Sequence, residues 1–152
     1  MRKTKLEQLK MFEISNAEDV VLEYAKKYAL CDEAQVKMFN LSNVEEILRV
    51  MTLQTFCMIS DESMVSMFDL PNAKDFVPWF VRFEPLCDKA VWRIFELPNA
   101  EDIFCIYASN WLLSADVLCR ILKFPRAKEI FKIYTKKFDL PEEIRKKIDE
   151  LN

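Results

Sequence analysis

Apolar residues recur along this chain at helical spacing, and the pattern restarts every 27 to 29 residues. Thr4, Cys31, Ser60, Cys87 and Ser114 each open a segment with apolar residues five, seven and eight positions on. These are Leu9, Met11 and Phe12, then Val36, Met38 and Phe39, then Val65, Met67 and Phe68, then Trp92, Ile94 and Phe95, then Cys119, Ile121 and Leu122. The opening residue, or the Asp that often follows it, can accept from the free N–H groups of a first helical turn. Thr4 and Glu7 have the spacing of a capping box. Eleven residues after each opening stands Ser15, Ser42, Pro71, Pro98 or Pro125, at steps of 27, 29, 27 and 27. Proline disfavours the α conformation in the residue before it, so a first helix ends there.

A second helix follows each corner. Asn16, Asn43, Asn72 and Asn99 read as its N-caps, each with an acid three residues on; Arg126 takes this place in the fifth unit. Counted from this position, apolar side chains at offsets 4, 5, 8 and 12 form one stripe. They include Val20, Val21, Tyr24 and Tyr28 in the first unit and Ile130, Phe131, Tyr134 and Phe138 in the fifth. Thr55 and Glu84 stand at offset 12 in units two and three. Helices of about ten residues are marginal alone in water. Each pair must therefore bury its stripe against its neighbours.

The pattern predicts an all-α fold, a right-handed α-solenoid of about five and a half 27-residue helix-turn-helix repeats. The expected units are 4–30, 31–59, 60–86, 87–113 and 114–140, with 141–152 as a C-terminal cap, all in one domain. Lys146 and Asp149 stand where inner units carry apolar residues, and Glu7 stands where Ala34 and Ala90 do. Polar terminal units keep a stacked array soluble, so 1–152 reads as a whole array or close to it.

Composition removes several chemistries. The chain has no glycine, against a usual share of about 7%. Phosphate-cradling loops and turns with positive φ lose their usual residue. Histidine is also absent, and with it the commonest general base and metal ligand. The acids at the helix starts are explained as caps, which leaves no catalytic carboxylate pair. No catalytic, cofactor-binding or metal-binding residue is assigned, and the chain is expected not to be an enzyme. Cys31, Cys57, Cys87, Cys105 and Cys119 are odd in number and show no C-x-x-C spacing. They read as half-buried thiols of a cytoplasmic protein. No apolar run approaches 18 residues, so no membrane span is expected.

What remains after the repeat is subtracted points to binding. Offset 7 of the second helices reads Glu23, Val50, Trp79, Ile106 and Ile133. Leu53 and Phe56 add apolar bulk in unit two, and Phe83 in unit three. Unit three also carries Pro78 inside its helix, where it should bend the axis. Val50, Leu53, Trp79, Phe83, Ile106 and Ile133 form the candidate partner surface. They are either a wider core stripe or a groove for a protein or peptide or for a second copy of the chain. Residues 1–113 hold 12 basic and 18 acidic residues, and residues 114–152 hold 10 and 7. A net excess of three positive charges is a small footprint for nucleic acid.

The architecture resembles the α-solenoids: HEAT, armadillo and tetratricopeptide arrays. The recurring Phe-x-Leu-Pro-Asn-Ala-Glu corner is similar to short helical repeats of uncharacterised bacterial proteins described as leucine-rich-repeat-variant-like. That resemblance implies an interaction scaffold without a catalytic motif, and it transfers no site residue.

Overall fold

A computed structural model describes residues 1–53 and 58–151; expectations for Thr55, Phe56 and Cys57 lie outside them. The described residues are all-helical, with eleven α-helices and no strand. They form two compact units, Met1–Pro71 and Asn72–Asn152. The first holds α1 (Lys5–Lys10), α2 (Ala17–Ala25), α3 (Asp32–Met38), α4 (Val44–Leu53) and α5 (Asp61–Ser66). The second holds α6 (Ala73–Phe80), α7 (Asp88–Arg93), α8 (Ala100–Asn110), α9 (Ala115–Ile121), α10 (Ala127–Tyr134) and α11 (Glu142–Asp149).

Every expected helix start is met. Thr4, Cys31, Ser60, Cys87 and Ser114 all have extended backbone with ψ between 153° and 165°. Thr4 and Glu7 complete the capping box. Ser60 and Ser114 accept from Ser63 N and Val117 N, whereas Cys31 and Cys87 make no side-chain cap. Three first helices tighten into a 3₁₀ turn before the corner, at Met11–Glu13, Met67–Asp69 and Ile94–Glu96. Leu70 and Leu97, each before a proline, then leave the helix extended at ψ 144°.

The corner asparagines do not cap. Asn16, Asn72 and Asn99 lie at φ near −100° and ψ between 19° and 35°, without a side-chain cap. A capping side chain needs an extended backbone to reach the free N–H groups of the first turn. Here the residue already follows the turn. Its amide reaches sideways instead: Asn43 donates to Glu18 O at 3.1 Å, and Asn99 to Lys74 O at 2.7 Å. Lys74 O is the carbonyl that Pro78, lacking an N–H, cannot serve from within α6.

In the first unit α2 packs beside α4, and α3 packs beside both α1 and α5. In the second, α8 lies between α6 and α10, and α11 packs on α9. The second-helix stripe is the core: Val21, Ile47, Leu48, Met51, Phe76, Val77, Phe80, Ile103, Phe104, Tyr107, Ile130, Phe131 and Tyr134 are buried. The first-helix stripe is buried as expected at offset 7, in Met11, Met38, Met67, Ile94 and Ile121, and at offset 8 in Phe39 and Phe68. Its offsets 3, 4 and 7 are buried in Ala34, Gln35 and Met38 and in Ala90, Val91 and Ile94. Offset 5 sits at the edge of the face, so Leu9, Val36 and Val65 are only half-buried and Trp92 is exposed.

Candidate functional site

The six residues expected at a partner surface divide between the two units. In Met1–Pro71, Val50 is buried and returns to the core, while Leu53 at the end of α4 is 68% exposed. Both still edge an open groove of about 690 Å³ that also carries Glu45, Glu46 and Arg49. In Asn72–Asn152, Trp79, Ile106 and Ile133 occupy one register of three neighbouring helices, α6, α8 and α10, and all three are half-buried. Phe83, just past α6, is 59% exposed. Its ring lies 5.4 Å from that of Trp79, which in turn lies 5.6 Å from Phe76. An aromatic chain therefore climbs from the buried Phe76 to the surface at Phe83.

Acids flank this strip. Asp75, Asp102 and Glu129 are exposed in the first turns of α6, α8 and α10, where they favour the helix dipole. Arg126 bonds both Asp102 and Glu129 and ties α8 to α10. Its guanidinium holds the Glu129 carboxyl below the usual range, and the hydrogen bonds it donates to Glu129 and Asp102 raise its own pKa. Glu84 stands where Tyr28, Trp111 and Phe138 stand in sister pairs, and burial pushes its carboxyl up.

Two sets of polar groups are buried between helices, one that the hydrophobic pattern passed over and one carried by residues of the expected stripe. Gln8 and Gln35, 4% and 2% exposed, sit at offset 4 of α1 and α3. Gln8 donates to Lys3 O and accepts from Cys31 N; Gln35 donates to Leu30 O and Met58 O and accepts from Ser60 N. The second set is the tyrosine hydroxyls. Tyr24 accepts from Lys3 N, Tyr107 from Leu86 N and Tyr134 from Leu113 N. Recurrence of glutamine four residues after Thr4 and Cys31 was the available signal.

Among the described residues no group of three or more His, Cys, Asp or Glu side chains could hold a metal ion. Cys31, Cys87, Cys105 and Cys119 are half-buried and in no disulfide, and burial pushes the Cys105 thiol up. No described helix is long and apolar enough to cross a membrane. The chain matches no protein-family model, no curated protein and no solved structure.

Proposed function

We propose that this chain is a non-catalytic interaction scaffold that takes a protein or peptide segment along the second-helix face of Asn72–Asn152. The observation that carries this reading is the common register of Trp79, Ile106 and Ile133 on three packed helices, extended by the exposed ring of Phe83. Partly exposed aromatic side chains on a rigid frame are the usual anchors of interfaces. The frame belongs to the same proposal: a right-handed α-solenoid of about five and a half 27-residue repeats, of the HEAT-like or leucine-rich-repeat-variant-like kind. The support for it is the recurrence of helix starts at steps of 27 to 29 residues and the packing of α2 beside α4 in one unit and of α8 beside α6 and α10 in the other. A cytoplasmic setting is proposed too, from the four half-buried thiols among the described residues, none of them in a disulfide.

The test compares wild type with Trp79→Ala/Phe83→Ala. Affinity capture from cells that make the protein, with circular dichroism to confirm the fold, should show bound proteins lost in the double variant. Identical captured sets would move the partner off this face. Light scattering at high concentration separates a foreign partner from self-association, which would give a dimer that the double variant dissolves.

A further inference from the structure

A second feature of Asn72–Asn152 lies on its first helices. Two hollows, of about 550 Å³ and 230 Å³, share Trp92 of α7 and Asp116 of α9 in their linings. They therefore form one trough between α7 and α9. Asp88, in the first turn of α7, lies at one end, and Asp116, in the first turn of α9, lines both hollows. Arg120, in the last turn of α9, and Lys123 just beyond it lie at the other. Trp92, 43% exposed, stands between them. Its ring continues inward through Phe95 at 5.4 Å, and the Arg120 guanidinium sits over the Phe95 ring at 5.9 Å.

Three observations mark this trough as a site. An indole is a large apolar surface to leave in water, and Trp92 stands where sister pairs carry Leu9, Val36 and Val65. The ring is braced by Phe95, itself 4.6 Å from Phe104 and stacked on Phe124 at 5.5 Å, so it is held in place before anything binds. The four charged side chains are all exposed, and among the described residues none forms an ion pair with an opposite charge. Charges that are already presented cost little to reorganise on binding and set orientation.

We infer that the trough docks an extended peptide segment of a partner protein, with a basic side chain at the Asp88 end, an apolar one on Trp92 beside Asp116 and an acidic one at the Arg120/Lys123 end. The charge pattern selects this occupant. A nucleic-acid strand would set phosphates against two carboxylates along half the trough. The four charges sum to zero, and Asp88 stands at the end away from Arg120 and Lys123, which suits a ligand with both signs in order. The length agrees: seven helical steps separate Asp116 from Lys123, just past α9, a rise of about 10 Å and the reach of about four extended residues.

The experiment titrates the full chain, uniformly ¹⁵N-labelled, with three acetylated and amidated pentapeptides and an oligothymidylate 12-mer. The peptides are Lys-Ala-Leu-Ala-Glu, Lys-Ala-Leu-Ala-Lys and Glu-Ala-Leu-Ala-Glu. The readout is the Trp92 indole N–H resonance, assigned by its loss in Trp92→Phe. The mixed-charge peptide should bind about fivefold tighter than either like-charged one, and added salt should erase the difference. In Arg120→Glu/Lys123→Glu both ends are acidic, and the preference should pass to the dibasic peptide. These substitutions replace exposed side chains, so the fold should persist. Trp79→Ala/Phe83→Ala should leave the titration unchanged. No shift from any peptide at about 5 mM, beyond the weak end of specific recognition, overturns the inference. So does equal binding of the three, an unchanged preference in the charge-reversed variant, or tightest binding by the oligothymidylate.

Discussion

Met1–Pro71 and Asn72–Asn152 fasten the entries to their first helices with different chemistry. In the first unit buried glutamines do it, and each reaches from one helix pair to the next. Gln35, for example, belongs to α3 but accepts from Ser60 N, the residue that opens α5. In the second unit the same positions are Val91 and Leu118, both buried. There the hydroxyls of Tyr107 and Tyr134 hold Leu86 N and Leu113 N, the residues just before α7 and α9. A tyrosine latch closes a pair on itself, whereas a glutamine latch joins consecutive pairs. The first pair has both, in Gln8 and Tyr24. The need common to all is that a buried backbone N–H must find an acceptor. Either side chain meets it, and the choice decides whether stability is shared between pairs or kept within one.

Apolar packing sets the scale against which the latches are measured. Phe104 is fully buried against Phe95 and Phe124, so Phe104→Ala should cost about 3–5 kcal/mol in denaturant unfolding. Gln35→Leu should come next, at about 2–4 kcal/mol, because it leaves Ser60 N, Leu30 O and Met58 O without that partner. Hydrogen exchange should then speed up at both α3 and α5, as expected for a link between pairs. A loss confined to α3 would break the distinction drawn here. Tyr134→Phe should cost about 1–2 kcal/mol and expose Leu113 N to exchange without affecting α8.

Smaller effects sharpen the comparison. Asn43→Ala and Asn99→Ala remove equivalent bonds in the two units, but only Lys74 O has lost its helical donor to a proline. Asn99→Ala should therefore cost about 1 kcal/mol more than Asn43→Ala, and Pro78→Ala should abolish the difference in a double-mutant cycle.

The weakest effect is on pH. Glu18 accepts from Ser42, Glu33 pairs with Lys5 and Glu129 with Arg126, and each carboxyl is held below its ordinary value. Groups with a depressed folded pKa add stability above the unfolded value near 4.5, and lose it as pH falls through the folded one. Melting temperature should thus drop below about pH 4.5, and Glu18→Gln should blunt the drop. Glu84 has the opposite sign. Its raised carboxyl favours the folded state at low pH and loses that contribution as pH rises through the folded value. Glu84→Gln should raise the melting temperature slightly at pH 7 and have no effect at pH 3.

Much of the scaffold was legible because its signals are local. Thr4 with Glu7, Ser60 and Ser114 mark helix starts through atoms three residues away. The period of 3.6 placed Ile103, Phe104 and Tyr107 on one buried face. The asparagines misled for a physical reason: the capping pattern specifies residue types, but Asn99 has ψ 30° and its amide serves another helix. The expected ridge was legible only in part. Trp79, Ile106 and Ile133 do share a register, while Val50 is buried in the other unit. Trp92 shares an apolar offset with Leu9, Val36 and Val65, yet that offset lies at the edge of the packed face of the short first helices.

The sequence alone determined that this chain is helical, where most helices begin, and which stripe of the second helices is buried. Those outcomes follow from contacts within a few residues and from a repeated hydrophobic period. Tertiary structure decided which polar groups are satisfied by distant partners, and which apolar ones face solvent. Gln35 is core because Leu30, Met58 and Ser60 surround its amide with backbone partners, and Trp92 is exposed because its place on α7 falls at the edge of the packed face. Burial is a property of neighbours that residue type does not specify, and only packed neighbours can assign it.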